Sequence, residues 1–84
     1  MCTNGVNASQ FKMMLEHMDD QIALNRRWTH KLFHSADDNS YAQTAAILKE
    51  AQGLLDDVRA LLTDAQDAFD KDQESLSGVT INLV

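Results

Sequence analysis

The sequence predicts an all-α protein, an antiparallel two-helix hairpin that associates with further copies. The 84 residues include no proline and only three glycines, a composition that permits long helices and leaves little material for the turns of a β fold. Hydrophobic residues make up 44% of the chain, enough for a folded protein. These residues recur at helical spacing in two stretches that a short polar segment separates.

The first stretch predicts a helix over about 9–35. Asn7 followed by Gln10, or Ser9 itself, is a suitable cap for its start. Asn25 and Thr29 interrupt its apolar face, and a buried Asn in a helical seam often sets register. The main apolar face consists of Phe11, Met14, Leu15, Met18, Ile22, Leu32 and Phe33.

The same helix carries a second apolar strip on another side. Met13, Leu24 and Trp28 lie roughly 80° to 140° from the centre of the main face at about 100° per residue. A helix with a single neighbour has no use for this strip. The strip therefore predicts a second neighbour, either another copy or a bound partner.

The second stretch predicts a helix over about 40–76, with Ser40 and Gln43 as a capping box. Its apolar residues form a band at the a, d and e positions of a heptad. This band is wider than a two-stranded seam and is typical of a helical bundle. It comprises Ile47, Ala51, Leu54, Val58, Leu61, Ala65 and Ala68, with Leu48, Leu55, Leu62 and Phe69 beside them.

A loop over 35–40 joins the helices and makes them antiparallel neighbours. The second helix, roughly 50 Å long, overhangs the first, roughly 40 Å long. The overhang leaves Ala65, Ala68 and Phe69 uncovered within one chain. We therefore expect a dimeric four-helix bundle or a larger helical oligomer.

The chain divides into a flexible arm over 1–8, a hairpin domain over 9–77 and an apolar tail over 78–84. Gly78 is a suitable helix terminator, and the alternation from Val79 to Val84 predicts an extended tail. Three placements are open for this tail. It docks on its own helices, pairs with the same tail of another copy, or adds to a partner's sheet edge.

The net charge of −6 lies entirely on the second helix, because acids and bases balance between Ser9 and Asp37. This acidity disfavours direct nucleic-acid binding and permits a basic partner or mimicry of nucleic acid. Cys2 is the only cysteine, and the sequence shows neither a signal peptide nor a stretch that could cross a membrane. We expect a soluble, cytoplasmic protein.

Two clusters are candidates for ligand chemistry. Arg26, Arg27, Trp28 and Lys31 form a basic, aromatic patch. It suits an anionic or nucleotide ligand, or else it pairs with the acidic second helix of a neighbour. The ligand alternative alone requires an exposed Trp28.

His30 and His34 have the i, i+4 spacing of a zinc chelate, but two ligands are too few and neighbouring cations repel a metal. The position of these histidines near the C-terminus of a helix is explained more simply by the helix dipole. The chain shows no nucleophile motif and no phosphate-binding glycine loop. We expect no cofactor and no enzymatic activity.

The segment over 41–55 opens on Tyr41 and continues rich in Leu and Ala. In this it resembles the second helix of the small co-chaperones that hold type III secretion needle subunits. The likeness covers under half of the chain, and we assign no family from it. It implies a helical hairpin that holds another protein.

These observations predict a protein-binding or oligomerisation module: a small adaptor, inhibitor or chaperone that binds itself and another protein. The alternatives are an oligomeric sponge or sensor for a small anionic or nucleotide ligand, a secretion co-chaperone-like hairpin, and an acidic nucleic-acid mimic. The predicted interface lies on the second helix and consists of Leu54, Leu55, Val58, Leu61, Leu62 and Phe69.

Overall fold

The protein is an antiparallel hairpin of two long helices, as a computed structural model shows for residues 7–83, with side chains described over 7–76. Helix α1 spans Ala8–Asp38 and helix α2 spans Ala42–Leu83. The two pack side by side in a rod of 67 × 21 × 18 Å. The predicted all-α hairpin is confirmed, and its association with further copies stays a prediction.

The start of α1 is closed by reciprocal hydrogen bonds between Asn7 and Gln10. Asn7 Oδ1 accepts from the Gln10 backbone N–H at 2.8 Å, and Gln10 Oε1 accepts from the Asn7 backbone N–H at 3.3 Å. This capping box confirms the first of the two predicted caps. The predicted arm over 1–8 falls mostly on residues 1–6, outside the described residues, and Ala8 is already helical.

The turn between the helices is shorter and lies later than predicted, because α1 continues to Asp38. Ser40 takes a left-handed backbone conformation, with φ of 64°. Its N–H donates to Asp37 O at 3.1 Å, and the N–H of Tyr41 donates to Ala36 O at 2.8 Å. Together these two bonds are a Schellman motif, which satisfies the last carbonyls of α1 and reverses the chain.

The predicted capping box of Ser40 and Gln43 is therefore wrong. Ser40 belongs to the end of α1, and the residue before α2 is Tyr41, whose carbonyl accepts from the Ala45 N–H at 2.8 Å. Ser40 is the left-handed residue one position past the C-cap Asn39 of α1, and it cannot also serve as the extended N-cap of the next helix.

The predicted extended tail is also wrong, because α2 continues through Gly78 to Leu83. Val84 lies outside the described residues. A glycine inside a helix costs about 1 kcal/mol relative to alanine, which a helix already propagating can absorb. Among the described residues there is no strand to pair with such a tail, so the helix gives its backbone groups the partners that a strand would lack.

The later turn changes the register of the hairpin. Phe11 lies level with Phe69, their ring centroids 4.9 Å apart, so the prediction that Phe69 is uncovered is wrong. Gln73 lies beside Ala8 and Ser9 at the start of α1. The overhang of α2 consequently begins only after this point, about one helical turn beyond Phe69.

Replacing Ser40 with glycine is expected to stabilise the protein. A residue with a Cβ atom is strained in the left-handed region and glycine is not, so Ser40→Gly should raise the free energy of unfolding by about 1 kcal/mol. Urea denaturation at fixed protein concentration measures this change. Ser40→Ala is the control, since it keeps the Cβ atom and should give no gain.

Gly53 lies in the middle of α2, and a Cβ atom placed there meets nothing within 4 Å. Gly53→Ala should therefore raise the free energy of unfolding by about 1 kcal/mol, the difference in helix propensity. Ala60→Gly, at another exposed position of the helix, should lower it by a similar amount. A loss of stability in Gly53→Ala would mean that a neighbouring chain approaches α2 closely at this glycine.

Candidate interaction surface

The seam between α1 and α2 is thin. Among the residues whose burial is described, only Ala36, Ala45 and Leu62 are buried, with 4%, 5% and 9% of their surface exposed. The larger seam residues are only half-buried; they are Leu15, Ile22, Phe33, Leu48, Leu55, Val58 and Phe69. Two helices alone cannot surround a core, so one side of every seam side chain faces outward.

One edge of this seam, which we call the closed edge, is lined by ion pairs between the helices. Lys12 Nζ donates to Asp70 at 2.8 Å, Arg59 Nε to Asp19 at 3.1 Å and Arg26 Nε to Asp56 at 3.0 Å. The three paired residues of α1, Lys12, Asp19 and Arg26, recur every seven positions. Because the pairs are exposed to solvent, they stabilise the hairpin little and act mainly by setting its register.

Two of these pairs shift the pKa of their basic partner. The hydrogen bond that Lys12 donates to Asp70, followed by the charge of Asp70, raises the pKa of Lys12 above the ordinary 10.5. The hydrogen bond and charge of Asp19 likewise raise the pKa of Arg59. Both shifts favour the charged form of the base and therefore the paired geometry.

The opposite edge, which we call the open face, is a band of large apolar side chains that nothing within the described chain covers. Their exposed fractions lie between 44% and 67%. The open face consists of Phe11, Met14, Met18 and Leu32 from α1, with Ile47, Leu54 and Leu61 from α2.

Helical geometry places both halves of this band on the same side. In α1 the row of Phe11 and Met18 flanks the seam row of Leu15 on one side, and the row of Lys12 and Asp19 flanks it on the other. In α2 the row of Leu54 and Leu61 and the row of Arg59 flank the seam in the same way. Since Asp19 binds Arg59, the ion-paired rows share one edge and the apolar rows share the other.

The predicted interface residues fall into two groups. Leu54 and Leu61 lie on the open face, with 59% and 66% of their surface exposed. The other four pack toward α1; they are Leu55, Val58, Leu62 and Phe69. The α1 half of the open face belongs to the predicted main apolar face of the first helix, and its rows flank the seam rows at heptad spacing. The predicted interface, which lies on the second helix alone, does not include it.

The basic patch does not converge on one point. Arg26 lies on the closed edge, where Asp56 accepts its hydrogen bond at 3.0 Å. Trp28 lies on the outer side of α1, 55% exposed, with Lys31 Nζ 4.9 Å from the centre of its ring. The exposed Trp28 meets one requirement of the ligand alternative. The guanidinium group of Arg26, however, is already paired with Asp56, which leaves the candidate ligand site with one cation fewer.

His30 and His34 form a short hydrogen-bonded chain. His30 Nδ1 lies 2.9 Å from Gln52 Oε1, and the two histidine Nε2 atoms lie 3.0 Å apart. In the neutral tautomer of His30 that carries its proton on Nδ1, His30 donates to Gln52 Oε1 and its Nε2 accepts from His34. Over the described residues, no three metal-ligating side chains come together. Within the same limits, neither helix holds a segment long and apolar enough to cross a membrane.

Comparison with models of protein families, with curated proteins and with solved structures gave no match. The function is therefore inferred from the surfaces of the hairpin alone.

Removing the carboxylate partner of Lys12 is expected to lower its pKa. A raised pKa in the folded state contributes stability that is present below pH 10.5 and is lost as the pH rises through the folded value. Asp70→Asn should return the Lys12 pKa toward 10.5 and should remove this loss of stability at alkaline pH. NMR titration of the lysine ε-carbon measures the pKa. Asp64→Asn, which removes a carboxylate outside this ion pair, should leave the pKa of Lys12 unchanged.

Proposed function

We propose that this hairpin is a non-enzymatic protein-binding module whose open face packs against the helices of another polypeptide. The observation that carries the proposal is the apolar band along one edge of both helices, which Asn25 alone interrupts in the α1 row of Phe11, Met18 and Leu32 and whose large side chains are 44% to 67% exposed. Contiguous apolar surface of this extent is typical of a protein interaction site and rare on a monomer that works alone.

The total surface of the chain supports the same conclusion. A compact monomer of 9.4 kDa is expected to expose about 5,000 Å². This chain exposes 6544 Å². Its radius of gyration is 18.9 Å, against about 12 Å for a compact domain of the same length. The hairpin therefore keeps much more surface in contact with solvent than a self-contained domain does.

The kinds of side chain on the open face suit helix packing. Met14 and Met18 are unbranched and adaptable, and they line a shallow depression on α1 together with Met13 and His17. Leu54 and Leu61 stand two helical turns apart and present a regular ridge. An amphipathic helix that lays its apolar side along such a groove is a common mode of recognition. An adaptor, an inhibitor and a chaperone all belong to this class.

Leu61 and Leu62 are adjacent in sequence, but Leu61 lies on the open face and Leu62 is buried in the seam. The same substitution at each of the two positions therefore gives a matched test. Leu61→Asp changes a residue that is 66% exposed, so the hairpin should keep its helicity while association is lost. Leu62→Asp changes a residue that is 9% exposed and should unfold the hairpin. Burial of one such leucine contributes about 1.5–3 kcal/mol. Circular dichroism and light scattering measure the two effects.

The partner surface is mapped by photo-crosslinking in cells of the host. A photoreactive residue in place of Leu61 should form adducts with a polypeptide, whether a further copy of this chain or another protein. The same residue in place of Ala60, which is exposed and lies about 100° from Leu61 around the helix, should form few adducts. Equal yields from both positions, or none from either, contradict the proposal.

A further inference from the structure

We propose that the open face binds a second copy of this chain, giving a four-helix bundle in which α1 of each copy lies against α2 of the other. The two-fold axis runs parallel to the helices, so all neighbouring helices are antiparallel. This inference rests on the proposed function, because it names the polypeptide that covers the open face. Area, register and charge each support it.

The area of the open face suits a stable dimer. Its seven large side chains, 44% to 67% exposed, present roughly 800 Å² per copy. A standard stable interface buries about the same area on each partner. Two copies placed face to face therefore cover the whole open face, while Met13, Leu24 and Trp28 on the outer side of α1 stay exposed.

The register within the hairpin carries over to the dimer without adjustment. Phe11 lies level with Phe69, and Asp19 lies level with Arg59. A two-fold axis parallel to the helices keeps every residue at its own level. Leu32 then meets the partner's Ile47, and Met18 meets the partner's Leu61. Phe11, the bulkiest residue of the α1 row, meets the partner's Ala68, the smallest of the α2 row.

The charges at the margins of the open face select this arrangement. Beside the open face, α2 carries a row of acids: Glu50, Asp57 and Asp64. Level with these acids, the margin of α1 carries His17, Leu24 and Lys31, and the ammonium group of Lys31 lies over the Trp28 ring there. Asp38 lies one heptad farther along the same row, beyond the level of Glu50. A two-fold axis perpendicular to the helices would set the acidic row of α2 against itself. The parallel axis sets that row beside α1 and brings Lys31 level with the partner's Glu50.

The geometry is tested by mixing two cysteine variants of the full chain, both carrying Cys2→Ser. Leu32→Cys and Ile47→Cys should form disulfide-linked dimers after mixing and mild oxidation, because these positions face each other across the interface. Each variant alone should form few disulfide-linked dimers, since the same position in the two copies lies diagonally across the bundle. Efficient crosslinking of either variant alone, or none from the mixture, overturns the arrangement.

Charge reversal provides an independent test by sedimentation of the purified protein, whose native mass should be about twice 9.4 kDa. Lys31→Glu and Glu50→Lys should each weaken dimerisation roughly 10-fold, because the pair occurs twice in a symmetric dimer. The double variant should return to within about 3-fold of the native affinity. Lys49→Glu is the control of equal charge on the other side of α2, and it should have little effect.

A native mass of 9.4 kDa, or a double variant that stays as weak as the singles, overturns this inference. The binding-module proposal then depends on the crosslinking at Leu61, where adducts with a different protein would sustain it. A monomer without such adducts would overturn both.

Discussion

The structure depends on one constraint: each helix has an apolar band wider than a single neighbouring helix can cover. The hairpin uses one side of each band for its seam, and among the residues whose burial is described it buries only Ala36, Ala45 and Leu62 there. Such a seam is near the lower limit of what holds a small domain together. The part of each band outside the seam therefore stays exposed over the described residues, and the proposed binding function rests on this exposed surface.

Charge distinguishes the two edges of the seam. The cations of α1 and the acids of α2 meet on the closed edge, where Lys12 binds Asp70 and Arg26 binds Asp56. That edge remains exposed, since charged groups there keep both their partners and their water. Three acids of α2 outside these ion pairs, Glu50, Asp57 and Asp64, lie on the margin of the open face. They repel a second acidic row and thereby limit which helix can approach.

A small change in the turn has a large effect on the rest of the hairpin. The Schellman motif at Ser40 moves the reversal of the chain to the late end of the predicted loop. In an antiparallel hairpin, every residue by which the turn moves shifts the pairing of the helices by about two. Phe69 consequently meets Phe11 instead of extending past the end of α1.

The sequence by itself determined the elements of this protein: two long helices, the cap formed by Asn7 and Gln10, and the width of each apolar band. These follow from local hydrogen bonding and from helical periodicity, which neighbouring residues decide. Only the tertiary structure decided that Ser40 closes α1, that α2 continues through Gly78, and which rows of the apolar band form the seam. Leu61 and Leu62 are equally apolar in the sequence. Their burial differs because the register and the ion pairs of the closed edge orient α2 toward α1, and those contacts join residues far apart in the chain.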